Sequence, residues 1–213
     1  MEPFKTYRGL IAPLDRANVD TDQIIPKQFL KSIARTGFGE NLFYDWRYSA
    51  EGRPNPEFIL NHPRFRHATI LVTRNNFGCG SSREHAVWAL QQFGLRCIVA
   101  PWQERSGTRV PAFADIFRNN CAKNSLLTLE LSEPEVEKIF QMVDRYQGLE
   151  ASVDLPEQGI VLHTPEEISF HFDIDPSTKK RIVHGLDDIA MTLQQESRIR
   201  NFEETHSPQL YGP

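Results

Sequence analysis

The chain has 213 residues, 39% apolar and 24% charged, with 24 basic against 28 acidic side chains and a net charge of −4. That composition is too apolar for a disordered chain, and its acidic balance argues against a protein dominated by phosphate-backbone contacts. No apolar run approaches the ~18 residues needed to span a bilayer, and no secretory signal pattern is visible at the start, so a cytoplasmic location is expected. The length suits one domain better than two. Cys79, Cys97 and Cys121 form an odd, widely spaced set. It suits a reducing compartment, lacks CxxC spacing, and leads us to expect no metal held by this chain.

Residues 7–14 read as a first strand. The stretch from Asp15 to Phe29 is polar and then apolar, interrupted by Pro26. Residues 30–48 mix a helical pattern with Gly37 and Gly39 and suit a mobile loop. The proline-rich run RPNPEFILNHP reads as loop with a short helical turn. Residues 68–73 (ATILVT) form a β-branched run that predicts a buried strand. A glycine-rich turn follows, then a helix with Ala86, Ala89, Leu90 and Phe93 on one face and Gly94 as its stop. Residues 96–100 give the second strand of a parallel, right-handed βαβ unit. A loop over 101–111, a helix from Ala112 to about Cys121 and a strand over 126–131 come next. Ser132-Glu133-Pro134-Glu135 is a capping box opening a further helix. Two or three strands lie within 149–173. Helices on either side of Gly185 lead to a polar extension and tail, about 186–213. The class is α/β, a single domain over 1–213.

Chemistry concentrates in Gly78-Cys79-Gly80-Ser81-Ser82-Arg83-Glu84-His85. Two glycines permit positive φ or close approach of the backbone to a ligand. Ser81 and Glu84 have capping-box spacing, which places Ser81 at the helix N-cap. A helix N-terminus favours a carboxylate or phosphate, and Arg83 adds a charged planar fork. Glu84 and His85 could orient neighbours or relay protons. Arg83 stands where a dinucleotide fingerprint or a GxSxG elbow needs glycine, and GxxxxGK[ST] is absent. Spacing alone leaves a merely well-capped turn about as good a reading as a binding site.

GCGSSREH and the segment NVDTDQIIP at residues 18–26 resemble the small subunits of 3-isopropylmalate dehydratase, the detached swivel domains of the aconitase superfamily. The likeness continues through TGFG (36–39), DWR (45–47), FADIF (113–117) and HGLDDI (184–189), so it covers nearly the whole chain. It implies an aconitase-type swivel fold around a parallel βαβ core, with additional helices and strands. It also implies a heterodimer in which a [4Fe–4S] cluster sits on the large subunit, so that this chain is catalytically incomplete alone. By resemblance Ser81 is the base that takes a proton from carbon, and Arg83 grips a substrate carboxylate.

Around that pair, Ser82 and Lys27 are further candidate contacts to a small dicarboxylate. Leu30, with Phe29, is the candidate wall for an apolar substrate branch. Gly78, Gly80, Glu84, His85, Asp20, Thr21 and Asp22 are read as supporting, the last three through turn-forming hydrogen bonds to backbone. Phe38, Phe43, Tyr44, Trp46 and Tyr48 suit either a partner surface or a core cluster. One departure stands out: residues 102–111 are inserted where the family runs straight from Ala-Pro into Ser-Phe-Ala-Asp. Ala112 replaces that serine, which removes a helix cap worth typically ~1 kcal/mol. The function implied is interconversion of 2-isopropylmalate and 3-isopropylmalate through 2-isopropylmaleate, in leucine biosynthesis. The rivals are the same hydro-lyase chemistry on a citramalate- or homocitrate-type substrate, and a non-catalytic anion-binding module.

Overall fold

The computed structural model describes residues 2–31 and 35–206. Residues 32–34 of the expected mobile loop, and the end of the tail from 207, lie outside the described residues. In chain order the first elements are β1 (Thr6–Leu14), α1 (Thr21–Ile24), α2 (Tyr44–Arg47), β2 (Ile70–Thr73), α3 (Glu84–Phe93) and β3 (Cys97–Pro101). Then come β4 (Gln103–Arg105), β5 (Thr108–Val110), α4 (Asp115–Lys123), β6 (Leu127–Leu131) and α5 (Glu133–Arg145). The chain continues through β7 (Glu150–Asp154), β8 (Gly159–Leu162), β9 (Ile168–His171), α6 (Pro176–His184), α7 (Asp188–Leu193) and α8 (Glu196–Thr205).

Seven strands make one sheet in the order β6-β3-β2-β1-β7-β8-β9. Strand β1 joins its two halves. Residues Ile11 to Leu14 pair in parallel with β2, whereas Thr6 to Leu10 pair antiparallel with β7. The β2-α3-β3 unit is parallel as expected, and β3 pairs in parallel with β6. Every residue of β2 and β3 is buried, which is why both read as unbroken apolar runs. Strand β7 alternates buried and half-buried positions, as a sheet with one covered face does. Helix α5 opens on the Ser132–Glu135 capping box with proline in its first turn, and buries Val136, Ile139, Met142 and Val143. Helix α3 buries Ala86, Val87, Ala89 and Leu90 and ends at Gly94, whose φ is +115°.

Two expectations need correction. Residues 101–111 are not a loop: β4 and β5 pair antiparallel as a hairpin around Ser106 and Gly107, with φ of +51° and +76°. Positive φ at both central residues gives the turn that matches strand twist. Nor does a helix start at Ala112. Residues 112–114 run extended beside Phe77, whose N–H donates to the Ala112 carbonyl at 3.1 Å, and α4 has Ala114 as its N-cap. Ala112 therefore vacates no cap, and its own N–H donates to Glu130 Oε1 at 3.1 Å. In the aromatic cluster, Phe38 and Phe43 are fully buried, and Phe43 stacks on half-buried Trp46 at 5.4 Å. For these the core reading holds.

Candidate functional site

Strands β1, β2 and β3 end at the same edge of the sheet, and their continuations stay hydrogen-bonded beyond it. The Asn18 N–H donates to the Asn75 carbonyl at 3.0 Å, Gly78 to Val19 at 2.7 Å, and Thr21 to Cys79 at 2.9 Å. This extended pairing brings the VDTD segment against the glycine-rich turn, about sixty residues away in sequence. On the other side of the turn, Phe77 bridges Phe113. The site thus lies outside the carboxyl ends of parallel strands, where open α/β sheets place ligands.

Within the turn, Gly78 and Gly80 have φ of +76° and +90°. A Cβ on Gly78 would overlap the Phe117 ring. Asp20 and Gln23 close a capping box over α1, the Asp20 carboxylate accepting from the Gln23 N–H at 2.8 Å. The Thr21 hydroxyl donates to the Ser81 carbonyl at 2.9 Å, so Thr21 pins the backbone that carries Ser81. Through these bonds Asp20 and Thr21 shape the segment.

The expected Ser81–Glu84 capping box does not form. Helix α3 begins two residues later, with Arg83 as its N-cap and no side-chain cap. Tied by its carbonyl to Thr21, Ser81 precedes the helix. The Glu84 carboxylate accepts from Asn124 Nδ2 at 3.0 Å instead. His85 packs its ring against Phe38 and Trp88, at 5.1 and 4.8 Å between centroids.

Ser81, Ser82, Arg83, Gly78, Gly80 and Thr21 line a cavity of about 300 Å³, closed on its far side by Ala114, Asp115, Ile116 and Phe117. That far wall is the first turn of α4. Neither α3 nor α4 has a side-chain cap, and the N-cap of α3 and the first turn of α4 both line this cavity, a placement that favours an anion. A larger cavity of about 430 Å³, between Phe65, Arg74 and Phe140, shares no lining residue with it.

The Arg83 guanidinium, 13% exposed, donates to the Asp22 carboxylate, and Lys27 Nζ approaches the same carboxylate at 3.7 Å. The Arg83 hydrogen bond holds the Asp22 carboxyl below its ordinary value, with the charges of Arg83 and Lys27 adding to it. Because the folded value is the lower one, this contribution to stability is complete above about pH 3.9 and fades as pH falls through the lowered value. Arg83→Gln is expected to shift the Asp22 titration upward, which carboxyl NMR would follow; an unmoved midpoint would mean that the pair is not formed in solution. Lys27 itself is largely exposed and does not line the cavity, and Leu30 is half-buried against the core.

Sequence reasoning missed the far wall, residues 114–117, although FADIF was the available signal, and it missed the pairing of Asp22 with Arg83. Cys97 and Cys121 are buried in the core, where desolvation pushes both thiols up; desolvation also raises Cys79, in the turn. Among the described residues no group of three or more His, Cys, Asp or Glu could hold a metal ion. The described side chains therefore offer no ligand set for an iron–sulfur cluster. Among the same residues no helix is long and apolar enough to cross a membrane.

The family profile described as Aconitase C-terminal domain matches residues 1–134, and this puts the fold in the aconitase class. A second profile, described for the C-terminal domain of the 3-isopropylmalate dehydratase small subunit, matches residues 188–209. Proteins named 3-isopropylmalate dehydratase small subunit are similar over almost the whole chain. That of Desulforapulum autotrophicum is 56% identical over 203 residues, covering 95% of each chain. That of Methylibium petroleiphilum is 49% identical, covering 95% of this chain and 93% of its own; that of Brevibacillus brevis is 48% identical, covering 95% and 98%. The chain belongs to the family of 3-isopropylmalate dehydratase small subunits. A crystal structure of 3-isopropylmalate dehydratase from Methanocaldococcus jannaschii shares the fold, with TM-score 0.58 and 22% identity, covering 93% of this chain and 99% of that one.

Proposed function

We propose that this chain is the small subunit of an isopropylmalate isomerase, a hydro-lyase of leucine biosynthesis. The reaction interconverts 2-isopropylmalate and 3-isopropylmalate by loss and return of water through 2-isopropylmaleate. One observation carries the assignment of the site: two uncapped helix N-termini, Arg83 and Ser81 meet on a single cavity. A dicarboxylate needs positive potential from more than one direction, and this arrangement supplies it.

In this reading Ser81 takes the proton from the carbon beside a carboxylate. The C–H electron pair becomes the second bond of the alkene as the neighbouring carbon releases hydroxide. Addition of water with opposite regiochemistry completes the isomerisation. Serine is a weak base, and the α3 terminus and Arg83 lower the cost of its alkoxide. Arg83 holds one carboxylate, exchanging its bond to Asp22 for one to the substrate, and Ser82, on the same cavity wall, assists. The departing hydroxide calls for an electrophile from outside this chain. Family resemblance assigns it to a [4Fe–4S] cluster on the large subunit, which would cover the cavity mouth.

The test is turnover of a panel of hydroxy diacids by the chain alone and after anaerobic mixing with the large subunit. The expected result is no activity alone, and activity on mixing that is highest with the isopropylmalates. Turnover by the 213-residue chain alone would overturn the reading. A preference for citramalate would keep the reaction class and change the substrate.

A further inference from the structure

Among the described residues, five large apolar side chains are exposed: Ile116, Ile189, Leu193, Ile199 and Phe202. Four of them fall on α7 and α8, and neither helix buries a single residue. Ile189 is 71% exposed, Leu193 59% and Phe202 60%. A ten-residue helix standing alone is marginal in water, because nucleation costs more than so few turns return. Apolar groups clustered on such a helix mark a docking surface.

Two observations say what covers it. First, the arm is continuous with the cavity. Ile116, on the cavity wall, starts an exposed stripe along α4 that runs through Asn119 to Lys123. Lys123 Nζ lies 3.0 Å from the Asp188 carboxylate at the start of α7, and Arg181 holds the same carboxylate at 2.6 Å. From Ile116 to Lys123 is roughly 10 Å at helical rise, well inside the breadth of one standard protein interface. A partner that covers the cavity therefore reaches α7 on the same face. Second, the profile shared with the aconitase C-terminal domain stops at residue 134, whereas the one matching 188–209 is described for small subunits. The arm is the part characteristic of a chain whose partner is a separate polypeptide.

We propose that α7 and α8 form an arm that docks on the large subunit through Ile189, Leu193, Ile199 and Phe202. This rests on the reading of the chain as a small subunit. The ion pairs from Lys123 and Arg181 to Asp188 fix where the arm leaves the body, and its apolar face extends the covered surface beyond the cavity.

The test measures the dissociation constant of the full-length chain for the large subunit, anaerobically, for the wild type, Leu193→Glu, Phe202→Glu and Ser81→Ala. Both arm variants should fold normally by circular dichroism, since Leu193 and Phe202 are 59% and 60% exposed and neither packs on the core, and each should weaken association by about tenfold or more. Leu193→Ser and Phe202→Ser give the same comparison without added charge. Ser81→Ala should bind like the wild type, and arm variants should recover kcat at saturating concentration. Arm variants that bind as tightly as the wild type would overturn the proposal. So would a wild-type chain that forms a dimer by itself which the same variants dissociate, because the arm would then serve self-association. Failure of the wild type to bind any large subunit would instead defeat the small-subunit reading, and this proposal with it.

Discussion

Ser81→Ala in the assembled enzyme is expected to lower kcat by about 10²- to 10⁴-fold, the span typical of a lost general base. KM should change little. The position of the Ser81 backbone depends on its carbonyl, held by the Thr21 hydroxyl, and on the φ values of Gly78 and Gly80. None of these involves the serine side chain, so the cavity and its anion-binding amides should survive the substitution. Arg83→Lys tests the other half of the site. An ammonium keeps the charge but offers no fork, either to Asp22 or to a substrate carboxylate, so KM should rise as well as kcat fall. Steady-state kinetics on both variants, with assembly checked first, separate the two roles. Near-normal kcat for Ser81→Ala would leave the turn as scaffolding and move the base elsewhere.

How much of this was legible in the sequence depends on the distance over which each feature is decided. Strands β2 and β3 and helix α5 are local: an unbroken apolar run and a capping box with proline each name one element. The start of α3 is local too, yet it was misplaced. Ser81 and Glu84 satisfy the capping-box spacing, but non-local partners intervene: Thr21 bonds the Ser81 carbonyl, which an N-cap would give to the first helical turn, and Asn124 bonds the Glu84 carboxylate. The hairpin β4–β5 was hidden for another reason. Its strands are largely exposed and mostly polar, so there was no apolar alternation for a strand pattern to register. Its mark in sequence is Ser106-Gly107 at the turn; in space, Arg109 lies over Trp102 and 3.3 Å from Glu130, and Gln103 accepts from Asn75. For the site, the motifs named the turn and the VDTD segment. Their contact follows from β1 and β2 pairing in parallel and continuing past the sheet edge, which no window of sequence reports.

The same long-range geometry makes Gly78 a position where a single methyl group should do heavy damage. Two costs combine there. A non-glycine residue at φ +76° sits in the left-handed region, a strain of about 1–3 kcal/mol. The added Cβ would also overlap the Phe117 ring, itself fully packed beside Phe77 at 5.5 Å between centroids, and overpacking of that kind costs about 1–3 kcal/mol. Gly78→Ala should therefore destabilise the chain by about 3 kcal/mol, a fall in Tm of roughly 6–12 °C for a protein of this size. Activity should fall with it, because Gly78 and Phe117 touch each other and both line the cavity, so neither can shift without reshaping it. The two costs can be separated. Gly78→Asn tolerates the left-handed backbone but keeps the collision, so it should remain strongly destabilised. Gly78→Ala combined with Phe117→Leu removes much of the collision but keeps the strain, and should recover more than Phe117→Leu loses alone. Thermal denaturation of the wild type, Gly78→Ala, Phe117→Leu and the double variant closes a double-mutant cycle. Simple additivity of Gly78→Ala and Phe117→Leu would show that the two residues do not press on each other, and that the turn owes its glycine to backbone conformation alone.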